Sequence, residues 1–158
     1  MADLGLDKLF VYDQTLAFVS EVNVPAGDGP RHIVFSKEDS LAYCVNELSS
    51  SVSVLRYEKG RLKLLSTHFA LPEEFHGEST AAAIRLLGNY LYSSNRGHDS
   101  ITCFQREGET LKRKSITKCQ GRSPGDFNII GDFLLCANEL DNCVTQFKIT
   151  KDSLQPTN

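Results

Sequence analysis

Three short strings in this 158-residue chain set charged side chains directly after an asparagine: Asn46-Glu47, Asn95-Arg96-Gly97-His98 and Asn138-Glu139. Arg31 and Arg122 follow Gly- and Pro-bearing stretches, Pro25-Ala-Gly-Asp-Gly-Pro30 and Gly121. Two arginines near a glutamate and a histidine suit an anionic, oxygen-rich ligand. Guanidinium forks hold phosphate or carboxylate bidentately, or stabilise a developing oxyanion. A flanked Glu or His can then activate water. The candidate catalytic residues are therefore Glu47, Arg31, Arg96 and His98. The candidate substrate-binding residues are Arg31, Arg96, Arg122, Asn46 and Asn95. The same spacing fits a plain cross-strand ion pair between Arg31 and Glu47 equally well.

Other chemistries find no support. The four histidines have no H-x-H or H-x-x-x-H spacing, so no metal site is expected. No P-loop, G-x-G-x-x-G or G-x-S-x-G string occurs, and no cofactor is expected. His32 alternates away from Arg31 and reads as packed. His68 and His76 fall in an outer strand and an inter-unit loop and read as solvated. Asn46, Asn95 and Asn138 read as loop caps bonding their own backbone. Cys44, Ser93 and Cys136 share a register position and read as small packing residues.

The elements that must position these residues come from an internal repeat. Asn46-Glu-Leu-Ser-Ser-Ser-Val52, Asn95-Arg-Gly-His-Asp-Ser-Ile101 and Asn138-Glu-Leu-Asp-Asn-Cys-Val144 align without gaps, and Asp3-Leu-Gly-Leu-Asp-Lys-Leu9 fits the same frame. Their spacing matches the roughly 40 to 50 residues of a propeller blade. The clearest unit divides into four strands: Arg31–Ser36, Leu41–Asn46, Val52–Tyr57 and Arg61–Leu65. Its turns lie at Lys37-Glu-Asp-Ser40 and Lys59-Gly60. No amphipathic helix stands out. The fold expected is all-β, a partial β-propeller of about three to three and a half four-stranded antiparallel blades. Its units span 1–24 (outer strands of one blade), 25–72, 73–118 and 119–158, the last incomplete.

Strand direction gathers the charges. In an antiparallel blade the loops entering the first strand and joining the second to the third lie on one face. Arg31, Glu47, Arg96, His98, Arg122 and Glu139 then share a mouth. Lys37, Glu38, Asp39, Asn89 and Asp132 lie opposite. Symmetric hairpins would set Arg31 against Glu47, Ala82 against Arg96 and Gly125 against Asn138, one structural spot filled differently in each unit.

Composition bounds the partners. The chain is 41% hydrophobic and 23% charged, with net charge −3, and its mean hydropathy is −0.25. That excess of acid argues against nucleic acid as a partner. No run is long enough to span a bilayer, and acidic residues near Met1 do not fit a signal peptide. Five cysteines without a C-x-x-C pair fit reduced thiols and a cytoplasmic location. Unpaired blade edges invite self-association.

With Gly29-Pro-Arg-His-Ile33, Tyr43-Cys-Val-Asn-Glu-Leu-Ser-Ser50, Ser94-Asn-Arg-Gly-His-Asp-Ser-Ile101 and Gly121-Arg-Ser-Pro-Gly-Asp-Phe127, the chain resembles the lactonase family of seven-bladed propellers. That group contains a bacterial-type 6-phosphogluconolactonase and a fungal carboxymuconate lactonizing enzyme. The resemblance implies a lactone hydrolase acting on an anionic sugar lactone. Its alternatives are cycloisomerisation of a muconate and a non-catalytic propeller that binds partners. It also implies active-site roles for Arg31, Glu47 and Arg96, and a further catalytic histidine from a Pro-His motif preceding Asp3, outside this sequence. A full member is roughly twice this length, as seven blades of this period require. The third unit has Gly125 where the family usually shows Arg.

Overall fold

The computed structural model describes residues 1–157, so the last residue of the fourth expected unit, Asn158, lies outside the described residues. Four antiparallel sheets follow one another along the chain. The first holds β1 (Ala2–Asp3), β2 (Lys8–Tyr12) and β3 (Phe18–Asn23). The second holds β4 (Pro30–Phe35), β5 (Leu41–Asn46), β6 (Ser51–Glu58) and β7 (Arg61–Phe69). The third holds β8 (Thr80–Leu87), β9 (Tyr90–Arg96), β10 (Ser100–Glu107) and β11 (Thr110–Lys118). The fourth holds β12 (Pro124–Ile130), β13 (Phe133–Asn138), β14 (Cys143–Ile149) and the short β15 (Leu154–Pro156). No helix occurs among the described residues. The fold is a partial propeller in which β4, β8 and β12 run side by side as the inner strands.

Why the sheets stack is legible in β5. All six of its residues are buried, because a middle sheet is covered on both faces. Ala42 and Cys44 face the first sheet with Leu9, Val24 and Leu55. Tyr43 and Val45 face the third sheet with Ala81, Ile84, Leu91, Phe104 and Leu111. A second large seam joins Tyr92 and Ile101 to Phe127, Leu134 and Phe147 of the fourth sheet. Each large side chain so buried contributes about 1.5–3 kcal/mol. Cys44, Ser93 and Cys136 are fully buried in these second strands.

Polar groups tie the seams. Arg106 of the third sheet donates to the Gly88 carbonyl of its own sheet (3.3 Å) and crosses to the Tyr43 hydroxyl (2.7 Å) and Asp39 of the second, so Asp39 is part of a brace. His68 is likewise a clasp, correcting the solvated role expected for it. Its Nε2 meets Ser66 Oγ (2.9 Å), Thr110 Oγ1 (3.2 Å) and the Leu111 amide (3.3 Å) of the third sheet. A backbone amide only donates, so Nε2 is unprotonated in the native state.

Burial holds His68 below its ordinary titration range. His32 and His98 are shifted the same way, burial again being the first cause. The unfolded chain therefore takes up protons before the folded one, and stability falls as pH drops below about 6.5, the ordinary histidine value. Burial raises Asp28, which acts in the opposite sense but in the lower carboxylate range. Urea midpoints measured across neutrality should be flat above that value and decline below it. A midpoint that rises on mild acidification would contradict these placements.

Candidate functional site

The loops between second and third strands share one backbone shape. Asp7, Ser50, Asp99 and Asn142 stand four residues after Asp3, Asn46, Asn95 and Asn138, and all have positive φ, between 49° and 53°. Asn and Asp tolerate this left-handed conformation better than most residues. The carbonyls of Asp7, Ser50 and Asp99 accept the amides of Val24 (3.0 Å), Ala70 (2.9 Å) and Cys119 (3.0 Å), pinning the end of each outer strand. Asp7 also accepts the amides of Gly27 and Gly29, both at 2.8 Å, and these bonds hold its carboxyl below the usual range. The entry loop and the charged loop are thus fixed to each other.

The asparagines act as struts. Asn46 and Asn95 are fully buried. Asn46 Nδ2 donates to Ser51 Oγ and Ser53 Oγ, both at 2.9 Å, and to Asp28 Oδ2 at 3.1 Å. Asn95 Nδ2 donates to Ser100 Oγ (3.1 Å) and Thr102 Oγ1 (3.0 Å). Asn138 repeats the bond to Thr145 Oγ1 at 3.0 Å. Both Asn46 and Asn95 are buried with Oδ1 unpartnered, and their amide nitrogens serve the next strand, not their own backbone. The signal was present: a hydroxyl recurs seven residues after each of these asparagines.

The inner strands carry a bulge at one shared position. Pro30 pairs with Asn46 and His32 with Val45, leaving Arg31 as the extra residue. Pro124 and Asp126 flank Gly125 in the same way, and the irregularity between Ala81 and Ile84 contains Ala82. Arg31, Ala82 and Gly125 do occupy equivalent spots, but none sits in register opposite the residue expected from symmetric hairpins. The bulge decides where Arg31 points. Ile33 packs toward the first sheet and Val34 toward the third, so regular alternation would send Arg31 toward the first. The extra residue turns it to the third sheet, where Nη1 donates to the Ala82 carbonyl at 2.6 Å.

There the charges meet. Glu47 lies between the two arginines, Oε2 at 3.0 Å from Arg31 Nε and Oε1 at 2.9 Å from Arg96 Nη2. Its amide donates to the Gly29 carbonyl (2.7 Å), and its carbonyl accepts the Ala81 amide of the next sheet (2.9 Å). The Arg96 carbonyl accepts Ser79 Oγ at 2.9 Å. The three charged groups are partly exposed, at 39% for Arg31, 20% for Glu47 and 24% for Arg96. Two cations against one anion leave a net positive spot on a partly wetted wall, which attracts an anion and can hold it bidentately.

Among the described residues, the remaining candidates share no hydrogen bond or ion pair with this triad. Arg122 is clamped by Asp141, with Nε and Nη2 each 2.7 Å from Oδ1. Glu139 accepts from Ser123 Oγ at 3.2 Å. His98 is buried, with Nδ1 at 2.8 Å from Ser100 Oγ and its ring edge-on to Phe75 at 4.6 Å between centroids. Among the described residues it makes no hydrogen bond to Arg31, Glu47 or Arg96. The roomiest of the described cavities, about 610 Å³ and lined by Ser49, His68, Phe75 and Arg113 among others, contains none of the triad. Volume and chemistry point to different places, and the paired charges are the better guide to an anion.

Gly97 fixes the Arg96 loop. Its φ is +88°, and a Cβ there would run into the Glu78 carbonyl of the loop that also bonds Arg96. Gly97→Ala should cost more than about 1 kcal/mol and weaken anion binding at the triad. Unchanged urea midpoint and affinity would show that this loop contact is unimportant.

The profile of the family "Lactonase, 7-bladed beta-propeller" matches residues 1–158. The chain belongs to the lactonase family. This lactonase-family chain is 43% identical over 159 residues to an uncharacterized protein of Staphylococcus saprophyticus, covering 94% of this chain and 46% of that protein. It is 40% identical over 163 residues to an uncharacterized Staphylococcus aureus protein, covering 97% and 48%. Among solved structures it is similar to the periplasmic gluconolactonase of Pseudomonas aeruginosa, with TM-score 0.91, 31% identity and coverage of 99% and 49%. It is also similar to a Bacteroides fragilis protein described as a candidate 6-phosphogluconolactonase, with TM-score 0.86, 27% identity and coverage of 99% and 49%. The chain thus spans about half the length of the curated relatives it matches.

Proposed function

We propose that this lactonase-family chain supplies the anion-holding and water-activating residues of a lactone hydrolase of the 6-phosphogluconolactonase type. The observation that carries this reading is the placement of Glu47 between Arg31 and Arg96 at 3.0 and 2.9 Å. In the reaction, water adds to the lactone carbonyl while Glu47 takes its proton. The guanidinium groups hold the developing oxyanion or a substrate phosphate. The ring C–O bond then breaks, and the leaving alkoxide takes the proton back from Glu47. The products are balanced: lactone and water give the open hydroxy acid.

The two named structural relatives differ in substrate, one a gluconolactonase and the other described as a candidate 6-phosphogluconolactonase. Both lactones therefore belong in the test. Initial rates above the uncatalysed background are compared for the chain, Glu47→Gln and Arg96→Ala. Loss in both variants supports the reading, and equal rates in all three count against it. We also propose a cytoplasmic location, supported by five free cysteines, since thiols persist unpaired in a reducing compartment.

The faces of the two end sheets that have no neighbour support self-association. They carry exposed Tyr12 and Phe18 on the first sheet, and Ile130 (60%) and Val144 (66%) on the fourth. Light scattering should give a mass above that of one chain, and a lone-chain mass at micromolar concentration would count against association.

A further inference from the structure

His32 is a half-buried imidazole that the reaction above leaves unused. Regular alternation would put Arg31 and His32 on opposite faces, yet both reach β8: Arg31 at the Ala82 carbonyl and His32 Nδ1 at Arg85 Nη1, 3.5 Å away. The bulge brings them to the same side. Arg85 is itself held, by Asp126 Oδ1 at 2.9 Å, by the Ile84 carbonyl at 2.9 Å and by the Phe127 ring at 5.6 Å. A guanidinium only donates, so Nδ1 of His32 is the accepting nitrogen and Nε2 carries the proton. Burial first, then the charges of Arg85 and Arg31, hold this imidazole below its ordinary range, with Asp126 opposing them. The ring is therefore neutral near pH 7. Nε2 has no protein partner among the described residues, and it is not one of the buried unpartnered atoms. The ring is only partly buried, which leaves Nε2 available to an outside acceptor.

We propose that His32 is a ligand-contacting residue of the Arg31–Glu47–Arg96 site, donating its Nε2 proton to an anionic oxygen, with Arg85 as the positioning residue that sets its tautomer. This rests on the reading of the triad as an anion site. His98 is the more deeply buried of the two histidines, at 8% exposure, so His32 is the one better placed to meet an outside ligand.

The test uses the chain with ¹⁵N-labelled imidazoles, titrated with 6-phosphogluconate and, in parallel, inorganic phosphate. The ring resonances of His32 should move with saturation and its titration should shift upward, while His98 and His68 stay in place. His32→Asn should weaken 6-phosphogluconate binding about tenfold, the scale of one hydrogen bond to a charged group. Arg85→Met should leave the free His32 ring as a mixture of tautomers. The wild-type spectrum requires no variant to fold, so the central result does not depend on one. Binding lost in Arg31→Ala and Arg96→Ala with His32 silent overturns this inference and leaves the triad standing. No binding, or binding indifferent to both arginines, overturns the two together.

Discussion

Glu47→Gln should lower lactone hydrolysis by about 10²–10⁴-fold, the usual contribution of a positioned general base, while leaving the fold intact. Gln keeps the shape of Glu47 and an oxygen able to accept from one arginine, but it cannot take a proton from water. The lost ion pairs weigh little in stability, because all three groups are partly exposed and such pairs contribute about 0–1 kcal/mol. The separation of the two effects is the informative part. A structural ion pair would lose little turnover, and a merely destabilised variant would show its defect in the urea midpoint. Arg96→Ala should cost about 10²–10³-fold if it holds the oxyanion, and the defect should appear in kcat as well as KM.

The largest stability effect is expected from Phe104→Ala. Phe104 is fully buried in the seam with Tyr43, Val54, Ile84 and Leu91, where the second and third sheets meet. Deleting a core Phe ring typically costs about 3–5 kcal/mol, a large share of the 5–15 kcal/mol that holds an ordinary domain together. The site depends on this seam directly. Glu47 is supplied by the loop after β5 of the second sheet and Arg96 by β9 of the third, so loosening the seam separates the carboxylate from one of its two cations. Urea unfolding should show the lower midpoint, and anion affinity should fall in the same variant. A loss under about 1 kcal/mol would mean that the two sheets do not depend on that packing.

Much of this architecture is written in local chemistry. Leu41–Asn46 reads as a strand because its residues are small, apolar or aromatic between polar turns, and the structure buries all six. The common loop frame is equally legible in the gap-free alignment of Asp3, Asn46, Asn95 and Asn138, and the structure gives each loop a left-handed residue four positions on. The bulge at Arg31 is another matter. One extra residue changes no composition and no period, but it shifts pairing and re-aims Arg31 toward the third sheet. Arg122 shows a different limit. Its Gly- and Pro-bearing loop reads like that of Arg31, and only the folded chain brings Asp141 to within 2.7 Å of it. Asn46 reads as a loop cap because a polar residue at a strand end usually is one. The stacking of sheets on both sides of β5 buries it instead.

Ligand contact at the paired arginines is the most direct measurement of the central claim. The Nε–H signals of all arginines can be followed while the chain is saturated with 6-phosphogluconate. Arg31 and Arg96 should move together, with one affinity, while Arg113 beside the 610 Å³ cavity stays still. Movement of Arg113 with Arg31 and Arg96 unchanged would contradict the account, because the anion would then bind where no carboxylate is held between two guanidinium groups.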